Sequence, residues 1–490
     1  MDWKKNDVFQ TIIEDMSDSG EGIGKTDGFT WFIKDAVIGD RVEAKAMKVK
    51  KSYGFARLLQ VLEPSDKRTA PLCPVARQCG GCQIQAMDYQ EQLRFKENKV
   101  CSNLRRIGGL EHLIFRDEEG SLRNEEDGTT NALRKEESIE SGAISVYPIM
   151  GMENPWRYRN KAQFPFGRSR DGRIIAGFYA GRTHSIIETE DCLLGVKENS
   201  TILQCIREHM EQYKIEPYDE ANHRGLVRHV LIRKGFRTGE LMVCLVLNGE
   251  VKALTEADVL VERLRGLFGD GTAVTSISVS INREKTNVIM GSRIVNLYGP
   301  GYITDYIGNV KYRISPLSFY QVNPVQTEYL YGKAIELAGL TGKELVLDAY
   351  CGIGTIGMIA SKQANTVIGV ELNSDAVKDA IQNAKMNGIR NIRFFCNDAT
   401  KFMMQMAMTG DTVDVVLMDP PRSGSTEEFI RAVAAVKAKR VVYISCGPET
   451  LARDLEIFAK YGYRAQGAWP VDMFAFVDHT ECIVKLERVN

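Results

Sequence analysis

Five short apolar runs between residues 344 and 446 constrain this chain more than any other feature. They are ELVLDAY, TVIGVEL, NIRFFCND, DVVLMDP and RVVYISC, and each leads into a helical stretch or a turn towards one. Strands of that length alternating with helices build a parallel sheet covered on both faces. In an open sheet of this kind, ligands gather at the carboxyl edge of the strands. The residues that close each run are therefore the first candidates for a functional site.

The first run closes on Asp348, Tyr350, Gly352, Gly354 and Gly357, in the stretch DAYCGIGTIG. Glycines there allow a tight turn and close approach of backbone to a ligand. Glu371 closes the second run, 19 residues after Gly352, where a carboxylate can accept hydrogen bonds from both ribose hydroxyls. Asp398 closes the third, where an adenine would lie. Taken alone, GIGTIG with an acid at that distance also fits a dinucleotide site, so a nicotinamide oxidoreductase stays open. The acid ahead of the glycines, Asp348, favours S-adenosylmethionine, whose methionine moiety is cationic.

The later runs carry groups that hydride transfer does not need. Asp419-Pro420-Pro421-Arg422 closes the fourth, and Arg422 stands where an amino-methyltransferase has an aromatic residue. Cys446 closes the fifth and projects towards the ligand edge. A thiol there suits methylation of uracil at C5, a carbon that is a poor nucleophile. Thiolate addition at C6 makes C5 enolate-like, and a base must afterwards remove the C5 proton. Candidate bases lie in the stretch Asp472 to Glu481, and Glu481 opens a final apolar strand.

The rest of the chain adds two modules. Residues 8–63 read as short strands of a small β-barrel, with basic side chains on them. The net charge of −1 conceals this patch, because residues 117–140 are as strongly acidic. Residues 156–310 alternate strands with a few helices, as an α+β domain does. No apolar run spans the roughly 18 residues a membrane crossing needs, and the N-terminus lacks a secretory pattern, which places the chain in the cytoplasm. Eleven cysteines in a reducing compartment are no disulfide framework. Cys73, Cys79 and Cys82 stand apart as a C-x5-C-x2-C group that suits zinc or an iron–sulfur cluster.

The chain resembles the bacterial RNA 5-methyluridine methyltransferase family. The motifs are SPLSFYQVNP (315–324), LDAYCGIGTIG (347–357), GVELN (369–373), LMDPPRSG (417–424), YISCGPETLARDL (443–455) and FVDHTECIVKL (476–486). The resemblance implies Cys446 as nucleophile and Glu481 as base. It implies cofactor places for Gln321, Tyr350, Glu371 and Asp419, with Asp419 also near the uracil edge. Ala475 departs from the proline usual in that loop. The N-terminal segment resembles the TRAM domain, an RNA-binding barrel, which favours 23S rRNA as substrate over tRNA. The cysteine group resembles the family's [4Fe–4S] site, with Cys192 in the place of the fourth ligand.

The expected architecture is a multidomain α/β protein: a Rossmann-like methyltransferase domain, an N-terminal TRAM/OB-like barrel and a central α+β domain. The expected boundaries are 1–66 for the barrel, 67–90 with 142–312 for the central domain, 111–141 for an acidic insertion, and 91–110 with 313–490 for the methyltransferase domain. The expected partner is an RNA, with no membrane and no obligate protein partner. A non-catalytic RNA-binding module remains the other competing reading.

Overall fold

The computed structural model describes residues 3–124, 143–181, 183–269 and 271–489. Strands β1 (Val8–Met16), β2 (Gly22–Thr26), β3 (Phe29–Lys34), β4 (Arg41–Val49) and β5 (Tyr53–Glu63) close into a barrel in the order β1-β2-β3-β5-β4. Period-two alternation explains the closure: Val42, Ala44 and Ala46 face a core around Trp31, while Arg41 and Lys48 stay outside. Gly54 leaves room for that core, since a Cβ there would lie 2.2 Å from the Trp31 ring.

Helix α1 (Tyr89–Arg106) follows, capped by the Asp88 carboxylate accepting from the Gln90 N–H. Two short strands come next, β6 (Leu113–Phe115) and β7 (Ile144–Val146). The acidic insertion between them falls, from residue 125 to 141, outside the described residues.

The central sheet comprises β8 (Lys161–Arg168), β9 (Ile174–Tyr179), β10 (Ile186–Glu188), β11 (Val227–Lys234), β12 (Glu240–Leu247), β13 (Ala273–Ile281) and β14 (Arg293–Tyr298). Their order is β10-β9-β8-β11-β12-β13-β14, antiparallel except for β12 with β13. Helices α2 (Glu198–Gln212) and α3 (Ala257–Arg265) share its apolar core. A hairpin, β15 (Ile303–Ile307) and β16 (Val310–Ile314), leads to the C-terminal body.

That body contains α4 (Pro324–Ala338), β17 (Leu345–Ala349), α5 (Thr355–Ala360), β18 (Thr366–Glu371), α6 (Ser374–Met386), β19 (Ile392–Cys396) and α7 (Ala399–Met408). It continues with β20 (Val415–Met418), α8 (Glu427–Ala435), β21 (Arg440–Ser445), α9 (Pro448–Lys460), β22 (Tyr463–Val471) and β23 (Glu481–Arg488). The sheet order is β19-β18-β17-β20-β21-β23-β22-β7-β6. β17 to β21 are parallel, and β23 inserts antiparallel between β21 and β22. This is the expected Rossmann-like sheet, and α1 packs on its α9 and β22.

Three segments sit elsewhere than the sequence reading placed them. Leu113–Phe115, assigned to the insertion, and Ile144–Val146, assigned to the central domain, extend the C-terminal sheet beyond β22. Ile144 and Val146 are buried in its core with Val100 and Leu104 of α1, and burial of such side chains decides their place. The β15–β16 hairpin likewise packs into the C-terminal core, through Ile303, Tyr312 and Ile314. No described helix is long and apolar enough to cross a membrane.

Candidate active site

Parallel pairing brings the ends of β17 to β21 to one edge. Glu371 ends β18, Asp419 follows β20 and Cys446 follows β21. β23 runs the other way, with Ser445 paired to Cys482. Cys446 and Glu481 are the neighbours of that last pair, and the Glu481 charge acts on the Cys446 thiol. On its other side Glu481 pairs with Val471 of β22. Thiol and carboxyl are thus brought together by strand direction alone.

The rim is acidic and dry. Glu481 is 5% exposed; burial, helped by the Asp419 charge, pushes its carboxyl up to about 8, with Arg422 opposing. Burial pushes Asp419 up to about 7. Asp348 rises to about 8, through burial and then the Asp419 and Glu371 charges, against a hydrogen bond from Gly357. The Cys446 thiol rises to about 11: burial leads, Glu481 and Asp419 add, and Arg422 opposes. Several strongly shifted groups gathered at one sheet edge make this edge the candidate functional site.

The turn after β17 supplies the backbone of the site. Tyr350 (φ 63°), Gly352 (φ 54°) and Gly354 (φ 83°) all take left-handed conformations. Gly357 donates its N–H to Asp348 Oδ2 at 2.8 Å. A Cβ on Gly357 would lie 2.6 Å from that oxygen, so only glycine fits without a shift. Glu371 accepts from the N–H groups of Gly352 (3.1 Å) and Asn373 (2.8 Å), which ties the second strand to the loop. Asp398 caps α7 by accepting from the Lys401 N–H and lies close enough to act on the Tyr350 hydroxyl. The Tyr350 ring rests on Phe429, with centroids 5.2 Å apart. Gln321 is buried; its side chain bonds the Tyr331 hydroxyl, which also feels Asp419 and Asp348. Asp348, Glu371 and Asp419 thus gather at the ends of neighbouring strands, with Gln321 joined to them through Tyr331 and Asp398 through Tyr350.

Sequence reasoning missed the groups that hold the loop before Glu481. Lys96 of α1, fully buried, bonds Asp472 at 2.5 Å and the Phe474 carbonyl at 2.8 Å. The Tyr89 hydroxyl donates to the other Asp472 oxygen at 2.8 Å. Gln92 accepts from the Phe476 N–H, and Phe476 itself has φ 67°. The only signal was three polar residues on the inner face of an amphipathic helix. Arg422, noted only as the missing aromatic, lies with Nη2 3.4 Å from His479 Nε2.

Cys73, Cys79, Cys82 and Cys192 lie near one another, and Cys82 and Cys192 flank the same small apolar cluster. All four are half-buried. Burial raises the Cys82 thiol to about 12, and the charges of Cys192, Cys79 and Cys73 push the same way. Among the described residues, however, no three His, Cys, Asp or Glu side chains converge as ligands of a metal ion. The iron–sulfur expectation, and the zinc alternative, therefore have four neighbouring thiols behind them and no formed metal site among the described residues.

The profile of the tRNA (uracil-5-)-methyltransferase family matches residues 302–489, and that of the TRAM domain residues 2–59. An RNA methyltransferase of Halalkalibacterium halodurans is 43% identical over 99% of this chain and 98% of its own. One from Clostridium acetobutylicum is 41% identical, with the same shares covered. Among solved structures, the Pyrococcus abyssi tRNA (uracil-54, C5)-methyltransferase in complex with S-adenosyl-L-homocysteine superposes with a TM-score of 0.73. It covers 98% of this chain and all of its own, at 24% identity. That likeness extends to the fold.

Proposed function

Since the chain belongs to the tRNA (uracil-5-)-methyltransferase family, S-adenosylmethionine-dependent RNA methyltransferases that here carry a TRAM domain, we propose that it methylates C5 of a uridine in 23S rRNA, with Cys446 as nucleophile and Glu481 as base. The observation that supports this reading is the β21–β23 register, whose last pair, Ser445 with Cys482, adjoins Cys446 and Glu481, with the Glu481 charge acting on the thiol.

Asp348, Gly352, Gly354, Tyr350, Glu371, Asp398, Gln321 and Asp419 would hold the donor, a cation suited to a rim of carboxyls. Once bound, S-adenosylmethionine supplies an electrophilic methyl on a sulfonium. Burial is the main reason that the Cys446 thiol is raised; a positive charge beside Asp419 would offset the smaller contribution of the carboxyls, and Arg422 acts in the same direction. The thiolate of Cys446 adds to C6 of the flipped uracil, and the C5–C6 electron pair moves onto C5, conjugated to the C4 carbonyl. C5 takes the methyl group as its bond to the sulfonium sulfur breaks and S-adenosylhomocysteine is released; the Glu481 carboxylate then takes the C5 proton, the C5–C6 double bond re-forms and the thiolate leaves. A base whose carboxyl lies near 8 matches that proton transfer better than an ordinary glutamate.

Cys73, Cys79, Cys82 and Cys192 would hold a [4Fe–4S] cluster, tying the loop at 73–82 to the central domain. Basic strands of the barrel would grip phosphates, with the catalytic body reading the target. tRNA is the second reading, favoured by the fold shared with the Pyrococcus abyssi enzyme along almost the whole chain. The barrel therefore does not by itself separate the two substrates.

The test is transfer of labelled methyl to unmodified 23S rRNA and, in parallel, to unmodified tRNA. 5-Methyluridine in the first supports the proposal; label on tRNA alone redirects it, and label on adenine or cytosine ends it. Cys446→Ala should lower turnover by more than about 10³-fold, with donor binding kept. Glu481→Gln should accumulate a covalent protein–RNA adduct.

A further inference from the structure

A cleft of about 1460 Å³ opens in the central sheet, away from the acidic rim. Its floor holds two buried polar side chains, Arg228 (5% exposed) and His229 (8% exposed). Each has an atom with no hydrogen-bond partner: Nε of Arg228 and Nδ1 of His229. Burial pushes the His229 imidazole down to about 4, so its ring is neutral and offers one donor and one acceptor. Nε2 already meets the Tyr179 hydroxyl at 3.3 Å. Unmet polar groups at such depth are costly in a finished protein interior.

The walls are flat and aromatic. Tyr179 and His184 stack at 5.2 Å with their planes 26° apart. Tyr218 also lines the cleft, its ring 4.3 Å from the Arg228 guanidinium. Four arginines and four acidic residues line the cleft, but the acids are largely occupied. Glu216 pairs with Arg168, and Glu220 with His184. Asp219 accepts from Ala221 and Asn222 in its own turn. Arg170 and Arg224, both exposed, form no ion pair among the described residues. Stacking walls, a floor with spare donor and acceptor atoms and unpaired cations at the rim are what a splayed RNA base with its phosphate requires. A phosphate groove alone would be more uniformly basic.

The cleft is joined to the catalytic loop. Gly80 donates to the Tyr179 carbonyl at 3.1 Å, and Cys79 bridges to Ala180. Three residues on, Gln83 and Ile84 donate to the Phe476 carbonyl at 3.0 and 3.2 Å. Phe476 lies five residues before Glu481. One short segment thus spans from the cleft rim to the loop of the base.

We infer that this central cleft is a second RNA site, taking one unstacked base of the substrate strand other than the methylated uridine, with Tyr179 and His184 as the stacking wall and Arg170 on the adjoining phosphate. The inference rests on the RNA substrate proposed above.

The test uses the full chain and 23S rRNA transcribed with 4-thiouridine, irradiated and mapped by peptide. Cross-links to residues 170–184 or 216–229, at a nucleotide different from the methylated one, are expected. Tyr179→Ala with His184→Ala should weaken rRNA binding about tenfold, with the melting temperature and S-adenosylmethionine affinity held. Arg170→Ala, a fully surface change, should weaken it severalfold. Cross-links confined to the barrel and catalytic loop, with unchanged affinity in both variants, overturn the inference. So does a cleft that binds free uridine or adenosine monophosphate while the variants keep full rRNA affinity. If no RNA is methylated, the functional reading fails instead; if methylation proceeds with variants indistinguishable from the parent, only the cleft fails.

Discussion

At the scale of single residues, the decisive fact is that acids and a thiol share a desolvated rim. Glu481 has its carboxyl pushed up to about 8 and Cys446 its thiol to about 11, and the proposed chemistry needs both deprotonated. The rate should therefore climb with pH through about 8, and a profile flat between pH 6 and 9 would contradict the roles assigned. Asp419 carries the opposite lesson for stability. Its folded pKa of about 7 exceeds the ordinary carboxylate value of about 3.9, so the folded state binds the proton more tightly. The stability this contributes is full below about pH 4 and is lost as pH rises to about 7. Asp419→Asn should raise the stability of the ligand-free protein at pH 8 by on the order of 1 kcal/mol, an advantage that fades towards pH 4. The same change should weaken donor binding, as expected where a site holds destabilising charge for function. Thermal melts at the two pH values and calorimetry of S-adenosylmethionine binding check both halves.

At the scale of elements, helix α1 holds the loop that precedes the base. Lys96 and Asp472 are both fully inaccessible and bonded at 2.5 Å, with Tyr89 on the second carboxylate oxygen. Removing one member leaves a buried charge without its partner. Lys96→Met should cost about 3–5 kcal/mol, read from denaturant midpoints, and Lys96→Met with Asp472→Asn should recover part of that loss. If the single change is neutral, α1 is not the support described. This element also shows why part of the fold was illegible in sequence. The alternation in β17 to β21 announces its sheet, because five apolar runs with helices between them leave few arrangements. The three-residue strands β6 and β7 carry too few positions for any period. They belong to the sheet only because Ile144 and Val146 find the α1 face buried beside them.

At the scale of the whole molecule, the barrel has a core of its own, whereas a cluster that holds Leu231, Met242 and Cys244 with Val346 and Val442 joins the central sheet to the C-terminal body. The barrel turns Lys48, Lys51 and Arg57 outward, and these cations are placed to hold phosphates without reading bases. Replacing the three by alanine should reduce the salt dependence of RNA binding by about one unit of slope for each phosphate no longer neutralised. The maximal rate at saturating RNA should stay near that of the parent. A slope that does not change would remove the barrel from the RNA path.

The order of motifs in the chain determined the chemistry available: glycines after the first strand, a carboxylate after the second, Asp419, Cys446 and Glu481 at later ends. Those positions were legible because strand ends follow from apolar runs, and ligand edges follow from parallel strands. What the sequence left open was which side chains face each other across long separations. The β21–β23 register, the clasp of Lys96 on Asp472 and the meeting of Cys192 with the segment at 73–82 all join residues far apart in the chain. Such pairings are fixed by burial and by the alignment of whole strands, quantities that exist only once the chain has folded.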